Sequence, residues 1–207
     1  MVADFHVYEP AAGHGLAHDP LNSIVGPRPI GWISSRGAGG VNNLAPYSFF
    51  NLFNYRPPII GFASTGWKDS VANIQETGVF AWNLVTEPLA RPMNETAAMV
   101  SRETDEFALA GLTPAACAKI DAAYVAESPV SFECRLTQLI RLTNHQGAAI
   151  DTWLVLGEAV LIRIHQSLIE GGVYDTVKSA PVLRGGGPAD YFTISEAAKF
   201  KMGRPGT

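Results

Sequence analysis

The sequence predicts a mainly β domain with helices inserted between its strands, and two observations predict it. Residues 131–142 and 152–165 alternate apolar and polar side chains (Phe132, Cys134, Leu136; then Leu154, Leu156, Val160, Ile162, Ile164), the period of half-buried strands. The polar turn Asn144-His-Gln-Gly147 between them makes the two an antiparallel pair. Around this pair, 20 Gly and 14 Pro in 207 residues give a chain rich in turns.

Taken in order, the first two dozen residues are loop-like, punctuated by Pro10, Gly13, Gly15 and Pro20. His14, His18 and Asp19 fall here, but a Gly- and Pro-rich setting supplies neither preformed geometry nor a supporting shell, so no metal is expected. Residues 24–35 read as extended, because Pro27 and Pro29 hold their predecessors in β or polyproline geometry and so fix Arg28. Residues 36–40, Arg-Gly-Ala-Gly-Gly, make a hairpin turn. The returning strand is residues 42–51, Asn-Asn-Leu-Ala-Pro-Tyr-Ser-Phe-Phe-Asn. A buried strand would not carry Pro46 among asparagines, and a surface loop would not carry Tyr47, Phe49 and Phe50 together. The mixture suits a strand edge lining a cavity for a flat, polar-rimmed ligand.

Residues 59–63 form a short buried strand that runs into Ser64 and Thr65. Asp69 or Ser70 would cap the next helix, Val71 and Ile74 give it an inward face, and Gly78 ends it. Free amides at that helix start, the hydroxyls of Ser64, Thr65 and Ser70, and the Lys68 ammonium could converge on one phosphate. Taken alone, these residues favour an ordinary capped surface helix with a solvated lysine, since capped helices are common and phosphate sites are not. A strand over 79–85 follows, then a helix over 87–100 whose stripe of Leu89, Met93, Ala97 and Val100 is core packing. A second helix spans 103–110. Cys134 falls in the strand alternation as a small buried hydrophobe, and Gly157 marks a bend or bulge that curls the sheet. In the tail, Arg184 precedes three glycines; it either reaches an anionic group or simply belongs to a loop.

The net charge of -4 gives no reason to expect a nucleic-acid or anionic-membrane partner. No apolar run is long enough to span a bilayer, the start lacks a secretory signal, and two cysteines imply reduced thiols in a cytoplasmic protein. One domain over residues 1–207 is expected, since no linker divides the chain. There is no dinucleotide fingerprint, Walker loop, zinc spacing or nucleophile elbow.

Three stretches in succession resemble the flavin reductase-like family: Pro27-Arg-Pro-Ile-Gly-Trp-Ile-Ser-Ser35, Asn43-Leu-Ala-Pro-Tyr-Ser-Phe-Phe-Asn51 and Gly66-Trp-Lys-Asp-Ser-Val-Ala-Asn-Ile74. The agreement continues through residues 105–114, 127–129, 133–136 and 157–160. The resemblance implies the FMN-binding split barrel, a six-stranded antiparallel Greek-key barrel, usually a homodimer with noncovalent FMN near the interface. By position, Pro46, Tyr47, Ser48 and Asn51 would touch the isoalloxazine. Ser64, Thr65, Lys68, Asp69, Ser70 and Asn73 would surround the phosphate and ribityl chain, with Arg28 near the same pocket. Relatives often carry Arg-Leu-Gly-Gly or Arg-Leu-Gly-Tyr where this chain has Arg184-Gly-Gly-Gly187; Arg184 is the cation that would reach the cofactor. His165 either faces the site or is a satisfied structural histidine. The implied activity is an NAD(P)H-dependent flavin reductase passing electrons to free flavin, a metal complex or a partner oxygenase. The alternative is an FMN-binding electron carrier or sensor without nicotinamide turnover. No catalytic side chain is assigned, because the flavin carries the chemistry.

Overall fold

A computed structural model describes residues 4–206. Helix α1 (Leu21–Ile24) leads into β1 (Arg28–Pro29) and β2 (Gly31–Arg36), and the chain turns at Gly40 to return as β3 (Asn42–Tyr47). Next come β4 (Phe50–Tyr55), β5 (Pro58–Thr65), helix α2 (Asp69–Thr77) and β6 (Val79–Asn83). Helices α3 (Ala90–Glu95) and α4 (Glu106–Leu109) and the small pair β7 (Pro114–Ala116) and β8 (Ala123–Val125) precede the long strands β9 (Val130–Thr143) and β10 (Ala149–Ile164). The tail adds β11 (Ile169–Glu170), β12 (Val173–Tyr174), β13 (Leu183–Gly186) and β14 (Asp190–Phe192). No helix among the described residues is long and apolar enough to cross a membrane.

Seven strands make one antiparallel sheet in the order β3-β2-β6-β9-β10-β5-β4. The two strands at its ends, β3 and β4, are neighbours in the chain, with only Ser48 and Phe49 between them. The three steps from Tyr47 to Phe50 reach at most about 11 Å. The two edges of the sheet must therefore come together, and the sheet curls into a barrel. Across that seam the Tyr47 ring meets Phe62 of β5, centroids 4.4 Å apart. Six of the strands supply buried side chains; β4 is an added edge strand, and its residues 51–55 are all exposed. The stretch 42–51, expected as one strand, is thus two strands on opposite edges.

The barrel interior is filled by Ile33, Ile60, Phe62, Val71, Phe80 and Val155, while Trp32, Leu44, Met93, Phe107 and Val125 pack in a second cluster under α3 and α4. Strand β2 is buried almost throughout because its two faces enter these two clusters, Ile33 one and Trp32 the other. Gly157 is the expected irregularity: the β9–β10 register shifts between Leu156 and Gly157, and a Cβ there would run into the Phe80 ring. Cys134 is fully buried, and burial pushes its thiol far up. Its neighbour in sequence, Glu133, is also fully buried. It accepts the N–H groups of Ala118 (2.8 Å) and Lys119 (2.6 Å) and lies 2.5 Å from Arg163.

Two helices are shorter than expected. The 87–100 helix reduces to a 3-10 turn, Glu87–Leu89, and α3, because the Thr96 hydroxyl donates to the Met93 carbonyl at 2.7 Å and closes the last turn. The 103–110 helix reduces to α4, because Asp105 accepts the Phe107 N–H at 2.9 Å and fixes the start there.

Candidate functional site

Strand β5 ends at Thr65, and Gly66, at φ 86°, turns the chain outward while its N–H is held by the Asp151 carbonyl at 2.9 Å. The residue capping α2 is Lys68, not Asp69 or Ser70. Lysine has no acceptor to offer, so the helix start is uncapped by any side chain. The first helical bond runs from the Ala72 N–H to the Lys68 carbonyl at 3.0 Å. The N–H groups of residues 67–71 find no acceptor among the described residues. No carboxylate pairs with Lys68 among them either. An uncapped helix start with open amides and a free cation is a site for an anion.

The expected anion residues divide by direction. Thr65 and Lys68 are exposed, and Asp69 is half-buried in the first turn, where its charge favours the helix dipole but opposes an incoming anion. Ser64, Ser70 and Asn73 are buried. Ser64 donates to the Gly66 carbonyl at 2.9 Å and so shapes the turn; Ser70 accepts from the Asn43 amide at 2.9 Å. Asn73 donates to the Ser35 hydroxyl at 3.3 Å and accepts from Arg102 at 2.9 Å. Arg102 lies in no periodic or motif context, so nothing in the sequence points to this contact.

Tyr47 joins this helix start to the strand edge. Its side chain turns into the barrel against Phe62, and its hydroxyl is buried with no hydrogen-bond partner of good geometry, although the Ser70 and Ser64 hydroxyls lie nearby. Burial pushes the Tyr47 phenol up, those hydroxyls oppose the shift, and Asp69 and Glu106 add to it.

Pro46 is half-buried opposite Trp32, and Ser48 and Phe49 form the open joint. Arg28 reaches that joint: its Nε donates to the Ser48 carbonyl at 3.0 Å, and its guanidinium lies 5.4 Å over the Phe49 ring. The same group donates to the Asn22 carbonyl at 2.5 Å and to the Val25 carbonyl. Burial, and then the nearby Arg184, lower its pKa. Arg184 donates to the carbonyls of Gly186, Gly187 (2.9 Å) and Asp190 (2.8 Å) and sits over Tyr191, so its donors close the glycine loop. Asn51 is exposed, and its side-chain oxygen accepts the Leu52 N–H at 2.8 Å. His165 caps the turn Gln166–Leu168 through Ser167, a structural role.

Trp67 also sits at the helix start, in one of the family-like stretches. Its indole is 44% exposed and meets Trp153 edge to face at 4.6 Å, while Arg141 lies 5.3 Å over the Trp153 ring. Clefts of about 680 Å³ beside β11–β12 and about 660 Å³ near Arg36, Lys119 and Arg135 lie away from these residues.

The family model for the flavin reductase like domain matches residues 26–180. An uncharacterized protein of Aquifex aeolicus is 34% identical over 170 residues, 79% of this chain and 83% of its own length. Nitrilotriacetate monooxygenase component B from Bacillus cereus has a structure of TM-score 0.81 to this one at 30% identity, covering 88% of this chain and 90% of that one. A Shewanella frigidimarina protein with a split barrel domain, 23% identical, has a TM-score of 0.78 and covers 88% of this chain and 90% of its own, which shows the same fold.

Proposed function

From membership of the flavin reductase-like domain family, to which this chain belongs, we propose an FMN-dependent oxidoreductase that takes electrons from NADH or NADPH. Its acceptor is free flavin, a metal complex or a partner oxygenase; the last fits the likeness to a monooxygenase component. The observation that carries the reading is the uncapped start of α2, where amides without an acceptor adjoin the exposed Lys68.

The residues fit the cofactor in size as well as charge. Phe50 of β4 pairs with Phe62 of β5, and Thr65 lies three residues further along β5. At the rise of a strand that is roughly 10 Å, the scale of a flavin ring joined through five carbons to a phosphate. Lys68, Thr65 and the amides of residues 67–71 would hold the phosphate, with Ser64 and Ser70 fixing the turn beneath. Backbone groups of Pro46, Tyr47 and Ser48, with Asn51 at the rim, would border the ring, and Arg28 keeps the Ser48 joint in place. Asn73 and Arg184 support this arrangement through their neighbours. When bound, the flavin supplies two-electron uptake and one- or two-electron release. The protein supplies orientation and exclusion of water.

A homodimer belongs to the reading. Leu52, Phe53 and Tyr55 on the outermost strand are 51%, 55% and 72% exposed. An apolar edge strand left open invites association, and a second copy of the chain would cover it beside the ring. Two free thiols fit a cytoplasmic location. The test is the visible spectrum of the purified protein with added FMN, then NADH or NADPH without oxygen. Bound flavin that bleaches supports the reductase; bound flavin that stays oxidised favours an electron carrier or sensor; no bound flavin sinks both.

A further inference from the structure

We propose that the outer face of the barrel carries a second binding site, the cleft of about 660 Å³ lined by Arg36, Lys119 and Arg135, and that it takes a small organic dianion bearing two carboxylate or phosphate groups. The sheet sets the spacing of its cations. Val79 on β6 pairs with Arg135 on β9, and the β2–β6 register, continued two residues past the Ser34–Ala81 pair, brings Arg36 level with Val79 on its other side. Arg36, Val79 and Arg135 thus form one row across three strands. Phe80, next to Val79, fills the interior, so the row lies on the outer face. At about 4.8 Å per strand the two arginine backbones stand roughly 10 Å apart, with Val79 as the floor between them. Two guanidinium groups so spaced suit an anion with one group for each, since guanidinium binds carboxylate and phosphate alike through paired N–H donors.

Both arginines are held by bonds that leave donors open. Arg36 donates from Nε to the Asn42 side chain at 3.0 Å and from Nη1 to Asp121 at 2.7 Å, and Arg135 donates from Nη2 to the Lys119 carbonyl at 2.9 Å. The Nη2 of Arg36, the Nε and Nη1 of Arg135 and the Lys119 ammonium meet no acceptor among the described residues. The wall that carries Lys119 is fixed from beneath by Glu133, whose fully buried carboxylate accepts the Ala118 and Lys119 N–H groups. A buried carboxylate is costly to keep; this one sets the Lys119 backbone, which is held at both its N–H and its carbonyl. Glu158 stands across from Arg135 on β10 yet forms no ion pair with it, so Asp121 is the one carboxylate in the lining. In a chain of net charge -4, three cations around one carboxylate reverse the local sign. The concavity has the volume of small-ligand sites, which favours a small molecule over a protein surface. None of the residues assigned to the flavin lines this cleft, so the inference stands apart from the flavin reading.

The experiment titrates the wild-type protein by calorimetry with glutarate, with pyrophosphate and, as a monoanion, with acetate, each before and after addition of FMN. At least one dianion should bind more tightly than about 1 mM, acetate at least about tenfold more weakly, and FMN should change the dianion affinity by less than about twofold. The dianion that binds tells a dicarboxylate ligand from a phosphate compound. Arg135→Ala and Lys119→Ala should each weaken it about tenfold, the effect of losing one charge-assisted hydrogen bond. Both side chains are exposed, so the variants should keep the wild-type melting temperature. Arg91→Ala, which removes an exposed arginine of α3 outside the cleft, should leave the affinity within about twofold. Absence of binding by both dianions, unchanged affinity in either cleft variant, an equal loss in Arg91→Ala, or displacement of the dianion by FMN would overturn the proposal.

Discussion

Arg28 and Arg184 face each other as partners in the β1–β13 pair, two guanidinium groups on strands of two and four residues. Like charges placed opposite in a sheet are unfavourable, and here each is satisfied by backbone carbonyls instead of a carboxylate. Arg28 spends its Nε on Ser48, the residue at which the chain passes from one sheet edge to the other. Removing it should loosen the joint without emptying the core. For Arg28→Ala the expected outcome is flavin affinity weakened about tenfold, the effect of losing one charged hydrogen bond. Fluorescence titration checks this; full affinity would place the ring away from Ser48.

Lys68→Ala should act on the phosphate alone. A charge-assisted hydrogen bond contributes about 1.5–3 kcal/mol, so FMN should bind at least about tenfold more weakly while riboflavin, which has no phosphate, is unaffected. Raising salt should weaken FMN binding to the wild-type protein more than to the variant. Ser48→Trp gives the complementary result, blocking the ring while circular dichroism stays native.

Tyr47→Phe tests the buried hydroxyl. An unpaired buried hydroxyl costs folding free energy, so its removal should leave thermal stability of the flavin-free protein unchanged or raise it by up to about 1 kcal/mol. A drop of that size or more would show that the hydroxyl is satisfied in the folded chain.

Glu133 governs acid stability. Burial alone would raise its pKa, but the Ala118 and Lys119 N–H groups and Arg163 outweigh burial and hold it below the ordinary range. The carboxylate therefore stabilises the fold fully above its unfolded pKa of about 4.3, and that contribution is lost as pH falls through the lower, folded value. Glu133→Gln should cost about 2 kcal/mol near neutrality, the figure reduced because the Arg163 side chain is 28% exposed. It should also flatten the pH dependence of the urea midpoint below pH ~5. An unchanged midpoint at neutral pH would contradict it.

Much of this molecule is legible in the sequence where a repeated physical constraint leaves a pattern. Strand β9 shows because Phe132, Cys134 and Leu136 alternate into the core, and Gly157 shows because a Cβ cannot pass Phe80. Strand β10 shows as a strand but with its faces exchanged: Trp153, Val155 and Ala159 turn to the core, while Val160 and Ile162 of the expected apolar face are exposed. Helix α2 shows because Val71 and Ile74 point inward and Gly78 takes a positive φ. The break at Ser48 does not show, since aromatic residues flank it on both sides and only the sheet order reveals that those sides lie on opposite edges. Nor do the destinations of polar groups. Asn73 and Arg184 carry the right chemistry for a ligand, yet their hydrogen bonds go to Ser35, Arg102 and a loop's own carbonyls. Helix α3 is overread because Ala97 and Val100 continue its stripe beyond the point where the Thr96 hydroxyl stops it.

The joint of Ser48 and Phe49 has no slack. A link so short between the first and last strands makes the girth of the barrel and the position of Ser48 a single mechanical coordinate, so neither can drift without the other. Insertion of even one residue there would let the seam open. Variation in what the protein accepts must then come from parts that can lengthen freely, the turn before α2 and the glycine loop after Arg184, while the seam stays fixed as the gauge against which they are set.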